Sequence, residues 1–424
     1  MIVNLGIDDE NKVPGILTDK QFRIKRDLMK QDWFMAILYG AKRTGKTIFN
    51  NMLFLEELRR VRKTADREGV KNPMYILAGY SLGTIQKNVL EELSNMYGFE
   101  FHFDKYNRFK LFGVTVVQTG HGKISGIGAI RGMTAYGAYI NEASISDESV
   151  FDEIKSRCSG EGARILADTN PDHPEHWLLK DYILNPSDTI RSYHFELMDN
   201  SFLSKRYIQN IIDSTPSGMF YDRNIKGLWV SGDGVVYADF DKEVHTVDRA
   251  DISKLAIKEY FAGVDWGFEH YGSIVVIGVT WGDKYYLIEE HAHQHLQIED
   301  WVEIGEGIED RFGSIPFFCD SARPEYVKKF SDHFNAYNAN KKVMAGIETV
   351  AGLFKQKRLF INYDEAPRFR QEIYNYIWHK TKDEPIKLYD DVMDAIRYAI
   401  MSYLTIEFSP DTEEELENVQ ALGL

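Results

Sequence analysis

Strands and helices alternate in two different rhythms along this 424-residue chain, which makes a two-domain α/β architecture the expected one. Three observations carry that expectation. A single core rarely grows past about 250–300 residues, so this length favours two. In the first half, an apolar run over 33–39 ends in a Gly-rich turn and leads into an amphipathic stretch over 48–62. There Met52, Leu55, Leu58 and Val61 fall on one helical face. In the second half, three strand-like runs follow one another closely at 260–265, 273–280 and 284–290, before helix-like and strand-like segments alternate. Three antiparallel strands followed by alternating α and β is the order of a ribonuclease H-like fold.

The first half continues with strand candidates at 74–78, 111–117, 137–140 and 163–167, and a helix near 85–97. This βαβ rhythm implies a mostly parallel sheet with helices on both faces. Residues 219–259 have Gly227, Gly232 and Gly234, scattered aromatics and weak periodicity, and read as a connection. In the second half, Tyr271-Gly272 and Gly282-Asp283 mark turns of a meander. A strand at 315–319 and a final helix near 389–403 follow. The expected division is 1–218 with a helical linker subdomain toward its end, 219–259 as connection, 260–406, and an acidic tail at 407–424.

Composition excludes several classes. Hydrophobic residues make up 44% and aromatics 13%, too many for a disordered or fibrous chain. The longest apolar run, 273–280, has strand length, whereas a membrane span needs about 20 such residues. The N-terminus lacks the basic-then-apolar pattern of a signal peptide. Cys158 and Cys319 cannot make a disulfide framework or a cysteine zinc site. A cytosolic protein is expected. The net charge of −15 argues against a histone-like polyanion binder. It is uneven: residues 1–250 carry 32 basic and 34 acidic groups, residues 251–424 carry 18 and 31. Six acids and no base in the last 18 residues read as a solvated tail. Clustered metal-binding carboxylates are one cause for the remaining excess.

Gly40-Ala41-Lys42-Arg43-Thr44-Gly45-Lys46-Thr47 matches the GxxxxGK[ST] phosphate loop, after an apolar strand and before an amphipathic helix. Such a loop wraps phosphates with backbone N–H groups at a helix N-terminus. Lys46 is expected to reach the β- and γ-phosphates of ATP, and Thr47 to hold Mg²⁺. This is the mark of a RecA-like phosphate-loop ATPase domain. Its second acidic strand end is read at Gly137–Glu142, with Glu142 polarising the attacking water. Asn141 occupies the place of the usual first acid; its amide still accepts a hydrogen bond but brings no charge. The Gly-rich stretch 125–132 does not match GxGxxG and follows no strong strand, which excludes a dinucleotide site. Arg131 within it is a candidate arginine finger, or a surface arginine in a loop.

Three carboxylates end elements of the second half. Asp265 closes the first strand before Trp266-Gly267, and Asp320 closes a later one. Asp390, Asp391 and Asp394 lie at the start of the final helix, where Asp394 shares a face with either neighbour. Acids converging from two strand ends and a helix can hold two divalent ions, which activate water and stabilise the leaving oxygen of a phosphodiester. Oxygen-only ligands favour Mg²⁺ or Mn²⁺ over Zn²⁺. Asp390 is read as a helix-end acid suited to the macrodipole. His291, His293 and His295 alternate as on one strand face and are read as a solvated strand end. His173 and His176 are read as structural.

These residues together resemble the large terminase subunit of tailed double-stranded DNA bacteriophages, over nearly the whole chain. The marks are Leu17–Gln21, Gly40–Thr47, Ile130-Arg131-Gly132, Ile140–Ala143, Thr169-Asn170-Pro171 with His176-Trp177, and Lys226–Trp229. Val264–Gly267, Cys319-Asp320-Ser321 and Asp391–Tyr398 complete the set. The resemblance implies that Gln21 contacts adenine, that Lys46 and Thr47 bind phosphate and Mg²⁺, and that Glu142 is the acid of hydrolysis. It implies that Asn170 couples hydrolysis to movement and that Arg131 acts on a neighbouring subunit. Either Lys42 or Arg43 takes the role of the loop arginine. Asp265, Asp320 and Asp394 match nuclease metal ligands, and Asp391 stands where relatives carry a His or an acid. The implied function is viral genome packaging. ATP hydrolysis drives double-stranded DNA into a procapsid through the portal protein, and a Mg²⁺- or Mn²⁺-dependent endonuclease cuts concatemeric DNA. The implied partners are a small terminase subunit and a homo-oligomeric ring, commonly a pentamer, assembled from a subunit that is monomeric in solution. The implied location is the host cytoplasm, transiently at the portal vertex and not in the mature virion, with no membrane partner. Two competing readings are a host-type ATP-dependent repair helicase fused to a nuclease, and a nucleotide-switched DNA-binding scaffold with an inactive nuclease.

Overall fold

A computed structural model describes residues 15–185, 187–379 and 382–407. The N-terminal segment without a signal pattern and the acidic tail beyond Glu407 lie outside the described residues. Two compact units are present. One comprises the chain up to Ile212 plus Tyr221–Val230; the other comprises Asp213–Phe220 and the chain from Ser231. Residues 219–259, expected as a connection, are thus divided, because the chain passes between the units three times. Among the described residues no helix is long and apolar enough to cross a membrane.

The first unit is built on seven strands: β1 (Met35–Gly40), β2 (Met74–Gly79), β3 (Arg108–Leu111), β4 (Val114–Gly120), β5 (Gly137–Ile140), β6 (Arg164–Thr169) and β7 (Ile190–Phe195). Their order is β3-β4-β2-β5-β6-β1-β7, parallel except for β3. A buried cluster lies against each face, one including Phe49, Phe54 and Leu58, the other Phe151, Ile154 and Leu178. That two-sided burial is why β1 and β2 read as continuous apolar runs. The single strand expected at 111–117 is instead a hairpin. Phe112 and Gly113 both have positive φ, at 50° and 77°, the backbone of a two-residue turn that reverses the chain. β7 goes unexpected in the sequence because five of its six residues are only half-buried and show no alternation. The helix expected near 85–97 is Leu82–Ile85, one widened π turn over Gln86–Leu90, then Glu91–Tyr97.

The second unit carries β8 (Thr246–Val247), β9 (Ile257–Asp265), β10 (Gly272–Thr280), β11 (Tyr285–His293), β12 (Pro316–Cys319), β13 (Asn335–Asn338) and β14 (Leu359–Asn362). The order is β13-β12-β9-β10-β11-β14-β8. β9, β10 and β11 form an antiparallel meander, and β12 and β13 add in parallel beside β9. Numbered from the meander, that is the strand order 3-2-1-4-5 of a ribonuclease H-like sheet, extended at the β11 edge by β14 and β8. The final helix, Asp391–Glu407, packs on β9 and β10. Its approach to β9 depends on Gly263: a Cβ there would stand 2.0 Å from the Ala395 carbonyl oxygen.

Candidate nucleotide and nuclease sites

The phosphate loop leaves β1 at Gly40, whose φ of 136° and position against β7 exclude a side chain; a Cβ would lie 2.0 Å from the Phe195 carbonyl oxygen. The helix Lys46–Glu68 starts directly after Gly45, which is left-handed. Lys46 Nζ donates to the carbonyls of Gly40 (2.9 Å) and Ala41 (2.5 Å), to Thr44 Oγ1 (3.2 Å) and to Asn170 Oδ1 (3.3 Å). Burial pushes its ammonium down to about 8, against the nearby Asp168, which pulls it back up. A buried cation held mainly by neutral acceptors suits a phosphate ligand. Thr47 is half-buried in the first helical turn.

Several other expected residues meet this loop. Gln21 is the third residue of a helix capped by Thr18, and its side chain accepts from the Thr18 N–H while Nε2 donates to the Gly45 carbonyl (3.1 Å). It therefore ties the helix Asp19–Lys30 to the phosphate loop. Arg43 is exposed with φ 62°, and its carbonyl accepts from Asn200 Nδ2 (2.7 Å). Lys42 is exposed beside it, and Arg131 is exposed at the end of the short helix Ile127–Ile130.

β5 and β6 pair in parallel with Ile140 opposite Ala167, so the residues just beyond stand side by side. Asn141 Nδ2 donates to Asp168 Oδ1 (2.9 Å), and Asn141 Oδ1 accepts from Asn88 Nδ2 (3.0 Å). Burial raises the Asp168 carboxyl, while its hydrogen bonds and the charge of Lys46 work the other way. Glu142 is half-buried with φ 60°. Burial raises its carboxyl, and Asp168 raises it further, the direction that suits a group handling a proton near neutrality. Sequence reasoning passed over Asp168, although an acid ending an apolar strand is the same signal that marks Asp265. His176 is structural as expected: Nδ1 accepts from Leu178 N–H, so the other nitrogen, Nε2, is the one that donates to the Ser144 carbonyl (2.9 Å).

In the second unit, Asp320 continues from β12, and its N–H donates to the Val264 carbonyl (2.8 Å), placing it beside Asp265. Trp266 Nε1 donates to the Asp320 carbonyl (2.9 Å) and fastens the two strand ends. Asp265, Asp320, Asp390, Asp391 and Asp394 all line one cleft of about 900 Å³. Burial pushes the Asp265 carboxyl well up, and the charges of Asp394, Asp320, Asp391 and Asp390 push it further. Among the described residues no donor reaches its carboxylate. Such a group calls for a cation, and an all-oxygen set fits a hard divalent ion.

The other acids are held by cations of the chain itself. Asp320 pairs with Lys341, and Asp394 pairs with the buried Arg397 at 2.8 Å. Asp391, also buried, is held by Arg368 (3.2 Å) and His270 (3.0 Å). Arg368 also pairs with Glu372 (2.6 Å), whose other oxygen caps the final helix at Val392 N–H (2.8 Å). Among the described residues no three His, Cys, Asp or Glu side chains stand together in metal-ligand geometry. Asp390, read as a helix-end acid, faces the same cleft; burial, then Asp394 and Asp391, raise its carboxyl to about 6. The histidines stand apart: His291 pairs with Glu289, and His295 lies beyond β11 with φ 62°. Lys341 and Arg368 lie outside the sequence reading, since no local pattern marks a partner contributed from a distant segment; Arg397, inside the 391–398 motif, stands three residues after Asp394 on the same helix.

Comparisons with known proteins agree with this architecture. Residues 105–243 match the family described as Terminase large subunit, T4likevirus-type, N-terminal. No curated protein matches the chain. The large terminase of a thermophilic bacteriophage is similar in structure, with a TM-score of 0.76 at 22% identity over 92% of this chain and 99% of that one. The complexes of that phage terminase with ADP and with ATP-gamma-S give TM-scores of 0.74 and 0.73 at 21% and 22% identity, each over 90% of this chain and 98% of that one. The resemblance read from the motifs thus holds at two levels, as a sequence match to the terminase large-subunit N-terminal family and as the fold of a phage large terminase along most of the chain.

Proposed function

We propose that the protein is the ATP-driven motor of viral DNA packaging and carries a metal-dependent DNA endonuclease in its second unit. The observation that supports the motor most directly is the phosphate loop, with a buried Lys46 beneath a helix N-terminus and Glu142 at the end of β5. The thermophilic phage's large terminase, which shares the fold, has been captured with ADP and with ATP-gamma-S. In this reading Lys46 and the loop N–H groups hold the phosphates of ATP, and Thr47 and Asn141 face its Mg²⁺. Glu142 orients and deprotonates the attacking water. Asn170, which accepts a hydrogen bond from Lys46, would sense whether the lysine holds a phosphate.

In the second unit, Asp265, Asp320 and Asp394, with Asp390 or Asp391, would hold two Mg²⁺ or Mn²⁺ ions, which supply Lewis acidity to a phosphodiester. Lys341 and Arg397 would yield their carboxylates to those ions. The partners in this proposal are double-stranded DNA, the portal protein, a small terminase subunit and further copies of the chain in a ring. The site of action is the host cytoplasm at the procapsid portal. The repair-helicase reading is disfavoured because the second sheet has ribonuclease H-like order and no second phosphate loop. The inactive-nuclease reading draws on the ion pairs that now hold Asp320, Asp391 and Asp394.

Two assays test the proposal. Lys46→Ala is expected to abolish ATP hydrolysis and spare plasmid nicking; Asp265→Ala is expected to do the reverse. Wild-type protein that never nicks supercoiled plasmid across a Mn²⁺ titration would leave only the scaffold reading of the second unit.

A further inference from the structure

We propose that Asp168 is the positioning carboxylate of the nucleotide site, carrying from β6 the negative charge that Asn141 lacks on β5. The inference rests on reading the phosphate loop as an ATP site. Parallel pairing of β5 with β6 puts positions 141 and 168 next to each other, at the strand ends that face the loop. Asp168 is 2% exposed and receives two donors on each oxygen. Oδ1 accepts from Asn141 Nδ2 (2.9 Å) and the Glu142 N–H (3.2 Å). Oδ2 accepts from the Tyr139 hydroxyl (2.7 Å) and Asn50 Nδ2 (3.4 Å). The Glu142 N–H and the Asn141 amide, whose oxygen is taken by Asn88, can only donate to it, which favours the ionised carboxylate against the burial that raises it.

The amide of Asn141 is the chemical complement of that carboxylate. Asn88 donates to its oxygen, which fixes its Nδ2 toward Asp168. An aspartate at 141 would bring a second buried carboxylate to hydrogen-bond distance of the first, and two like charges that close cannot both stay ionised. One acid and one amide across the two strand ends satisfy both strands; two acids do not. Asp168 also clamps the Glu142 N–H, holding that residue at the left-handed φ of 60° that a non-glycine side chain rarely adopts. Its charge lies close enough to Lys46 to pull that ammonium's affinity for its proton upward. Asp168 thus orients Asn141 toward the metal side of the site and Glu142 toward the water, and touches neither nucleotide nor ion itself.

A swap separates this role from a merely structural one. Asp168→Asn, Asn141→Asp and the double variant are compared with wild type by thermal melting without nucleotide or metal, and by calorimetric ADP binding with and without Mg²⁺. Each single change is expected to lower the melting temperature. Each is also expected to weaken the Mg²⁺-dependent part of ADP binding by roughly 10–100-fold, as loss of a supporting partner does. The double variant restores one acid facing one amide and should recover both readouts. A double variant no better than the worse single, or one that does not fold, overturns the proposal. So does Asp168→Asn with unchanged Mg²⁺ dependence. If instead wild type binds no ADP, and Lys46→Ala leaves that unchanged, the ATP-site reading itself has failed.

Discussion

Lys46 and the clustered aspartates show how burial sets charge at single residues. With the free Lys46 ammonium pushed down to about 8, a phosphate must restore its proton. ADP affinity should therefore hold below pH 8 and fall about tenfold per unit above it, up to the lysine's affinity in the complex. Lys46→Ala, which has no such group, should show a flat profile by calorimetry over pH 7–9.5. Asp390 gives the opposite linkage. Its folded carboxyl is raised to about 6 from the ordinary 3.8, so ionising it costs stability. Below pH 3.8 both states are protonated and nothing is lost. Stability falls as pH rises toward 6 and the penalty is complete above it. Asp390→Asn should therefore melt at the same temperature as wild type near pH 3.8 and higher than wild type above pH 6 in chelator. Millimolar Mn²⁺ should erase or reverse that gain if Asp390 faces the ions. Asp391→Asn should instead lower the melting temperature at neutral pH, because Arg368 and His270 lose their partner.

At the scale of elements, both candidate sites use one device. Parallel neighbours in register, β5 with β6 and β9 with β12, bring together residues far apart in sequence. The strand ends were legible: 137–140 and the acids at 265 and 320 stand out as apolar runs that stop at a polar residue. Which ends are neighbours was not legible, and that is why Asp168 was passed over while Glu142 was found. The final helix adds Asp394 to the second site only because β9 lets it approach. Gly263→Ala would set a Cβ 2.0 Å from the Ala395 carbonyl oxygen, and overpacking of this kind costs about 1–3 kcal/mol. The expected result is a lower melting temperature for the second unit and weakened Mn²⁺-dependent nicking, with ATP hydrolysis unchanged. Nicking at the wild-type rate would show that the helix can shift without moving Asp394.

The whole molecule matters to Arg131, which is exposed in its own chain. If Arg131 serves the nucleotide of a neighbouring copy, the free chain should hydrolyse ATP slowly and assembly should accelerate it. An arginine supplied in trans is worth about 10³–10⁵ in rate in other phosphate-loop enzymes. Mixing Arg131→Ala with Glu142→Ala subunits on a portal tests this, since each supplies what the other lacks. Activity no greater than the sum of the two alone would count against action in trans.

Local order carried a great deal here. The phosphate loop is a contiguous octapeptide whose chemistry requires its neighbours in sequence, and the meander of β9, β10 and β11 is joined by short turns. Both could be read because their contacts are local and their periodicities are strong. The half-buried β7, the hairpin at Phe112-Gly113 and the distant partners of Asp320 and Asp391 could not. An arginine at 368 pairs with an acid at 391, and a lysine at 341 with an acid at 320. Electrostatic attraction acts through space and leaves no spacing in the chain to mark it. Tertiary structure alone decided which of Asp320, Asp391 and Asp265 meets a cation of the chain, and that among the described residues no donor reaches Asp265. It alone set the buried Asp168 beside Asn141, one strand away from the position where an acid is usually sought.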